Sequence, residues 1–129
     1  MGAAAATGDD NTIIGYRAGY DLTTAHSNVL IGKMAAQNLT TSGREMTVIG
    51  FEALSTYTTN SSHARFTIIG GEAGKNLSST SSEKNNYTAI GFQAGYSDKS
   101  DAQHQLFGSS AGYNLSGSSS EDGCTFVGG

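Results

Sequence analysis

The sequence has no proline and no tryptophan, one cysteine, and only 14% charged residues. Each shortage excludes something. A single thiol, Cys124, forms no internal disulfide, and no disulfide framework or redox compartment can be read from it. It reads as a small apolar filler. Lys and Arg number 7 against 11 Asp and Glu, for a net charge of −4. With no basic cluster there is no expected nucleic-acid-binding face. No apolar run approaches the roughly 18 residues that a membrane-spanning helix needs. Hydrophobic residues make up 36% of the chain, little for the core of one compact globule. Low charge separates the chain from ordinary disordered sequences. Residues 1–10 lack the basic start and long apolar stretch of a secretory signal, and read as a loosely ordered lead-in.

Glycine, by contrast, occurs 18 times, and its placement is regular. Asn11-Thr12-Ile13-Ile14-Gly15 returns as Asn28-Val29-Leu30-Ile31-Gly32, Met46-Thr47-Val48-Ile49-Gly50 and Phe66-Thr67-Ile68-Ile69-Gly70. It returns again as Tyr87-Thr88-Ala89-Ile90-Gly91, His104-Gln105-Leu106-Phe107-Gly108 and Cys124-Thr125-Phe126-Val127-Gly128. The glycines are 17, 18, 20, 21, 17 and 20 residues apart. Three residues after each of the first six stands alanine: Ala18, Ala35, Ala53, Ala73, Ala94 and Ala111. Glycine usually follows, and three further on comes Leu22, Leu39, Tyr57, Leu77 or Leu115, with Asp98 breaking the column. A period near 20, with length variation confined to one place, signals a solenoid.

The apolar word reads as a short strand, rich in Ile, Val, Thr and Phe and ended by glycine. The fold class is therefore all-β: a parallel β-roll or β-solenoid of about six short coils over residues 11–129. At the usual strand spacing it is a rod of roughly 30 Å. Side chains alternate faces along a strand, so of two neighbouring apolar residues one points into the coil and one out. An outward stripe of Ile14, Ile31, Ile49, Ile69, Ile90, Phe107 and Val127 would run the length of the rod. The pattern alone does not decide which of the two columns faces out. Such a stripe is too apolar to leave in water, and identical chains around an axis are the simplest cover. The Gly-x-x-Ala-Gly element reads as a tight turn leading into a second short strand. The connecting stretches are polar and form a ladder of variable loops.

Repeats of the form Asn-Thr-x-Ile-Gly-x-x-Ala-Gly, joined by Thr/Ser/Asn-rich segments, resemble those of phage tail fibres. They are also similar to the head repeats of trimeric autotransporter adhesins. The resemblance covers residues 11–129. It implies a left-handed parallel β-roll, a homotrimer, and a place in a virion tail fibre or on a cell surface. In such fibres the repeats often precede a self-cleaving assembly domain, so the chain is expected to be a mature or excised segment. Units longer than those of autotransporter heads favour the tail-fibre side. The function implied is a non-enzymatic fibre segment that displays loops for attachment to a host or cell surface. The alternative is a structural subunit of a self-assembling extracellular filament, with solenoid ends stacked on one another.

Catalytic and ligand motifs are weak. Gly108-Ser109-Ser110-Ala111-Gly112 matches a nucleophile elbow, but Ser110 occupies the repeat column of Arg17, Glu72 and Gln93. Gly70-Gly71-Glu72-Ala73-Gly74-Lys75-Asn76 is one residue short of a phosphate loop and lacks the Ser or Thr after Lys. His26, His63 and His104 share no metal-ligand spacing and read as exposed loop residues. Asp98 and Asp101, and Glu121 and Asp122, read as solvated acidic loops. No metal and no cofactor is expected. Ice binding would want a flat threonine array, against which the irregular loops argue. Tyr20, Tyr96 and Tyr113 recur one residue after the second glycine. They are the candidate glycan-binding residues, because aromatic faces stack on sugar rings; packing between coils is the plainer explanation. A surface glycan or receptor is thus a candidate partner besides the chain itself.

A prediction follows from the outward stripe. Ile69→Asp breaks assembly, whereas Ser81→Asp in a loop does not, as read by sedimentation velocity.

Overall fold

A computed structural model describes residues 8–40, 43–57, 64–78, 86–99, 103–116 and 123–128. It holds seven strands: β1 (Thr12–Ile14), β2 (Val29–Ile31), β3 (Thr47–Ile49), β4 (Arg65–Ile69), β5 (Asn86–Ile90), β6 (Gln105–Phe107) and β7 (Thr125–Val127). They form one parallel sheet in chain order, a β-solenoid, and no helix occurs among the described residues. The polar connections at 41–42, 58–63, 79–85, 100–102 and 117–122 lie outside the described residues, and with them Ser81, His63, Asp101, Glu121 and Asp122. Each strand with the turn after it is called a rung below.

Register follows the apolar word. Ile13, Leu30, Val48, Ile68, Ala89, Leu106 and Phe126 pair in one column that points inward. The five inner members are fully buried, and only Ile13 and Phe126 at the two ends are exposed. Truncating Ile68 to alanine would therefore cost about 2–5 kcal/mol.

The glycine that ends each of β1 to β6 is fixed by close backbone approach. Its φ lies between 117° and 144° in all seven copies, a region closed to other residues. A Cβ on Gly70 would stand 2.4 Å from the carbonyl oxygen of Gly91 in the next rung. That proximity lets each glycine N–H donate back to the preceding strand, as Gly70 does to Ile49 at 2.8 Å.

The second wall differs from the sequence expectation. The segment after Gly-x-x-Ala-Gly is a run of turns rather than a strand. The second residue after each glycine is left-handed, from Arg17 at φ 55° to Ser110 at φ 57°. The fourth is left-handed as well, including Ala36 and Leu54, which replace glycine there. Those positions form the expected tight turn, but Tyr20–Leu22 and its equivalents turn again instead of extending, because the Leu22 N–H donates back to the Gly19 carbonyl at 3.1 Å and Leu77 to Gly74 at 3.0 Å. The wall is still bonded from rung to rung. Gly19, Ala36, Leu54, Gly74 and Gly95 each donate to the alanine carbonyl of the next rung at 2.9 Å. The alanines themselves are buried, because only a methyl fits between the walls.

The interior changes character along the rod. At its start Asn28 sits buried and bonded to its neighbours: its Nδ2 donates to Asn11 Oδ1 at 2.9 Å and to the Gly43 carbonyl at 3.1 Å. Farther on the same column carries Phe66, Tyr87 and His104 in edge-to-face contact with centroids 5.9 and 6.4 Å apart. Tyr57 extends the stack at one end and Phe126 at the other. Of the expected lead-in, residues 1–7 lie outside the described residues, and residues 8–10 bond to the stretch just before β2. Gly8 donates to the Thr23 carbonyl, and Asp9 accepts from Ser27.

Two neighbouring substitutions test the glycine column. Gly70→Ala should lose more than about 3 kcal/mol, from backbone strain plus the clash with Gly91. Gly71→Ala should change stability by less than about 1 kcal/mol, because its Cβ would rest 3.4 Å from the flexible Phe92 ring. Urea unfolding of the two variants is the measurement.

Candidate functional site

The outer face of the sheet carries a continuous apolar column. Ile14, Ile31, Ile49, Ile69, Ile90, Phe107 and Val127 pair in strict register along it. This is the outward column, opposite to Leu30 and its partners. Exposure is high at the ends, 58% for Ile14 and 81% for Val127, and partial between them. Two residues earlier on the same face stand Thr12, Val29, Thr47, Thr67, Thr88, Gln105 and Thr125. Threonine thus lines up in five of seven strands, on the strands rather than in the irregular loops from which its absence was inferred.

The sequence reading missed a third column. Tyr16, Phe51 and Phe92, just after the glycine in rungs one, three and five, are all large and exposed. Lys33 in the rung between places its ammonium 5.5 Å from the centre of the Phe51 ring. The Phe92 ring leans over Gly71, which has no side chain to keep it away. The signal was present in the sequence, because the three aromatics share one repeat position. Their separation into alternate rungs hid it.

The tyrosine column does not form a single platform. Tyr96 and Tyr113 stack on each other with centroids 4.9 Å apart and planes within 5°. Lys75 stands over the Tyr96 ring at 5.9 Å. One face of Tyr96 is thus used by a ring and another contact by a cation. This arrangement is packing between rungs. Tyr20 is three rungs away from this group and contacts Arg17, whose guanidinium lies 5.1 Å from its ring centre.

Lys75 anchors a polar network on the same wall. Its Nζ is 2.6 Å from Glu52 Oε2 and 3.0 Å from Glu72 Oε1. Gln93 Nε2 donates to the other Glu72 oxygen at 2.7 Å. The hydrogen bond to Glu52 raises the Lys75 pKa, and those from Gln93 and Lys75 lower that of Glu72. Two carboxylates thus occupy the lysine of the glycine-rich stretch, so it is not set out for phosphate. Ser110 sits in the left-handed turn position with no helix following, which removes the nucleophile-elbow geometry.

Two residues read as exposed loop groups are interior instead. Asp98 is fully buried in the column of Leu22, Leu39, Tyr57 and Leu77, and His104 is 6% exposed. His104 Nε2 is 3.8 Å from Asp98 Oδ2. Burial first, and then the adjacent Asp98 carboxyl, push the Tyr87 pKa well up. Cys124, read as an apolar filler, is exposed. His26 is half-buried beside Ser27. No cluster of three or more potential metal ligands occurs among the described residues.

The Lys75 network gives a signed pH prediction. Glu72 has a lowered folded pKa, so its contribution is present above 4.5, its ordinary value, and fades as pH falls through the folded value. Lys75 has a raised pKa, so its share is present below 10.5 and fades only above the folded value. Lys75→Gln should therefore cost no more than about 1 kcal/mol at neutral pH. That difference should shrink as pH drops below 4.5, as measured by urea unfolding at each pH. Comparison with protein-family models, curated proteins and solved structures gives no significant match for this chain.

Proposed function

We propose that the chain is a non-enzymatic fibre segment that associates with copies of itself through the outer face of its sheet and displays its connecting loops for attachment. The observation that carries this reading is the continuous outward column from Ile14 to Val127, flanked by Tyr16, Phe51 and Phe92. Burying one isoleucine fully is worth about 1.5–3 kcal/mol, and here five stand in one line. A column of that length in strict register fits a second copy, since the repeat is the same in each chain. A homotrimer about the rod axis is the assembly the repeat resemblance favours, in a virion tail fibre or at a cell surface. The ligand class for the loops is a surface glycan or receptor. No cofactor enters this reading.

A specific observation favours a second reading, a filament formed end to end. Thr12 N–H donates to Asn28, and the Ile14 carbonyl accepts from Gly32, so Ile13 turns its backbone groups away from β2. At the other end the Cys124 carbonyl accepts from Gln105, and Gly128 N–H donates to Phe107, so Thr125 and Val127 turn theirs away from β6. Among the described residues these two edges have no strand partner. They carry the same apolar word, and a β1 edge can continue the register of β7.

Light scattering over a hundredfold range of concentration separates the readings. The fibre-segment reading expects a fixed mass of three chains, lost in Ile69→Asp. The filament reading expects a mass that grows with concentration. A folded single chain at all concentrations removes both. A glycan array then tests attachment: binding to bacterial surface sugars is expected, and silence on the array for the trimer would leave the shaft role alone.

A further inference from the structure

We propose that His104 is an acid-sensitive latch that holds the seventh strand to the sixth. The proposal starts from a task that recurs along one column. In the early rungs the residue before the column position is left-handed: Asp10, Ser27 and Glu45 have φ of 60°, 60° and 57°. Among the described residues, the Asn28 and Met46 N–H groups that follow Ser27 and Glu45 bond no backbone carbonyl. A side chain from the rung before supplies the acceptor instead. Asn11 Oδ1 accepts from the Asn28 N–H at 3.1 Å, and Asn28 Oδ1 accepts from the Met46 N–H at 3.0 Å. Between β4 and β5 the backbone ladder itself extends through Arg65–Asn86 and Phe66–Tyr87, and no side chain is needed. From the sixth rung to the seventh the ladder is short again, and His104 Nδ1 accepts from the Cys124 N–H at 3.1 Å.

The same column position thus bonds the next rung three times, twice with an amide oxygen and once with an imidazole nitrogen. The amide does not titrate and the imidazole does. With Nδ1 accepting, the neutral ring carries its proton on Nε2, the side that faces Asp98 Oδ2. Protonation puts a hydrogen on Nδ1 as well. Two donors then face each other at the distance of the lost bond, and the Cys124 N–H has no acceptor there. The ring is held edge-on between Tyr87 and Phe126. Rotation that would relieve the clash therefore disturbs both neighbours.

The groups around the ring set the pH of release. Asp98 and Tyr87 of the fifth rung face it from one side, and Cys124 and Phe126 of the seventh from the other. Of these only Asp98 carries a carboxyl group, with Oδ2 3.8 Å from the ring Nε2. β7 is the element that feels the opening: it has three residues, all exposed, and only β6 as a neighbour. Because the latch lies within one chain, it does not depend on the assembly proposed above.

Amide hydrogen exchange by NMR on the intact chain between pH 5 and 8 tests it, with β4 amides as the internal reference. In the wild type, protection of the Cys124, Phe126 and Gly128 amides, which face β6, should fall about fivefold or more relative to β4 as pH drops through the histidine range, the worth of about one hydrogen bond. His104→Asn restores the residue that Asn11 and Asn28 use, so its protection should be high and independent of pH. A flat wild-type profile, or the same pH dependence in His104→Asn, overturns the proposal. If His104→Asn does not fold, the wild-type titration decides: the His104 ring and the Cys124 amide must share one midpoint, and separate midpoints overturn the latch.

Discussion

The glycine column sets the terms for everything else in this molecule. Each of the first six strands ends where its backbone passes so close to the next rung that a single added carbon would strike a carbonyl oxygen. The approach aligns the inter-rung bonds of the sheet with those of the turn wall, so both walls stack at one spacing. Once the spacing is fixed, every side-chain position becomes a column. A residue's environment is then decided by its column and by the side chains directly above and below it.

This explains how a chain with so little apolar material holds together. A solenoid needs no thick core, because its two walls are separated by one layer of side chains. Alanine and leucine from the turns meet Leu30, Val48 and Ile68 from the strands, and nothing larger is needed until the Tyr57–Phe66–Tyr87 stack. Column logic also makes polar interior residues tolerable. Asn28 is buried but bonds to the rungs on both sides, so its amide costs little. Asp98 is placed likewise among Tyr87 and His104, where leucine serves in most other rungs. Such a substitution concentrates a polar, titratable group at one point of an otherwise uniform interior.

The outside obeys the same rule with a different result. Columns that face water add up along the axis, so a modest preference at one position becomes a stripe. The isoleucines, the threonines two residues before them and the aromatics after the glycine are three such stripes. The tyrosines form a fourth that turns its rings toward one another where two successive rungs carry them, at Tyr96 and Tyr113. A lone Tyr20 finds a guanidinium instead. Adjacent rungs therefore decide whether an aromatic surface residue packs on its own kind or is left for another molecule.

The sequence by itself determined the strands, their parallel order, the one-to-one register and the two faces of each apolar word. These follow from a period-two alternation repeated with a fixed glycine, and both are local properties of the chain. Which apolar column turns inward was left open by that pattern and was decided by packing against Ala18, Leu22 and their equivalents. The tight turn at Gly-x-x-Ala-Gly was legible, but the strand expected after it, from Tyr20 to Leu22, is a further turn, because Leu22 and Leu39 donate back to Gly19 and Ala36 three residues earlier. Asp98 and His104 look like loop residues when read along the chain. Only the stacked structure puts them in the interior, because burial here depends on which column a residue enters and not on its own polarity.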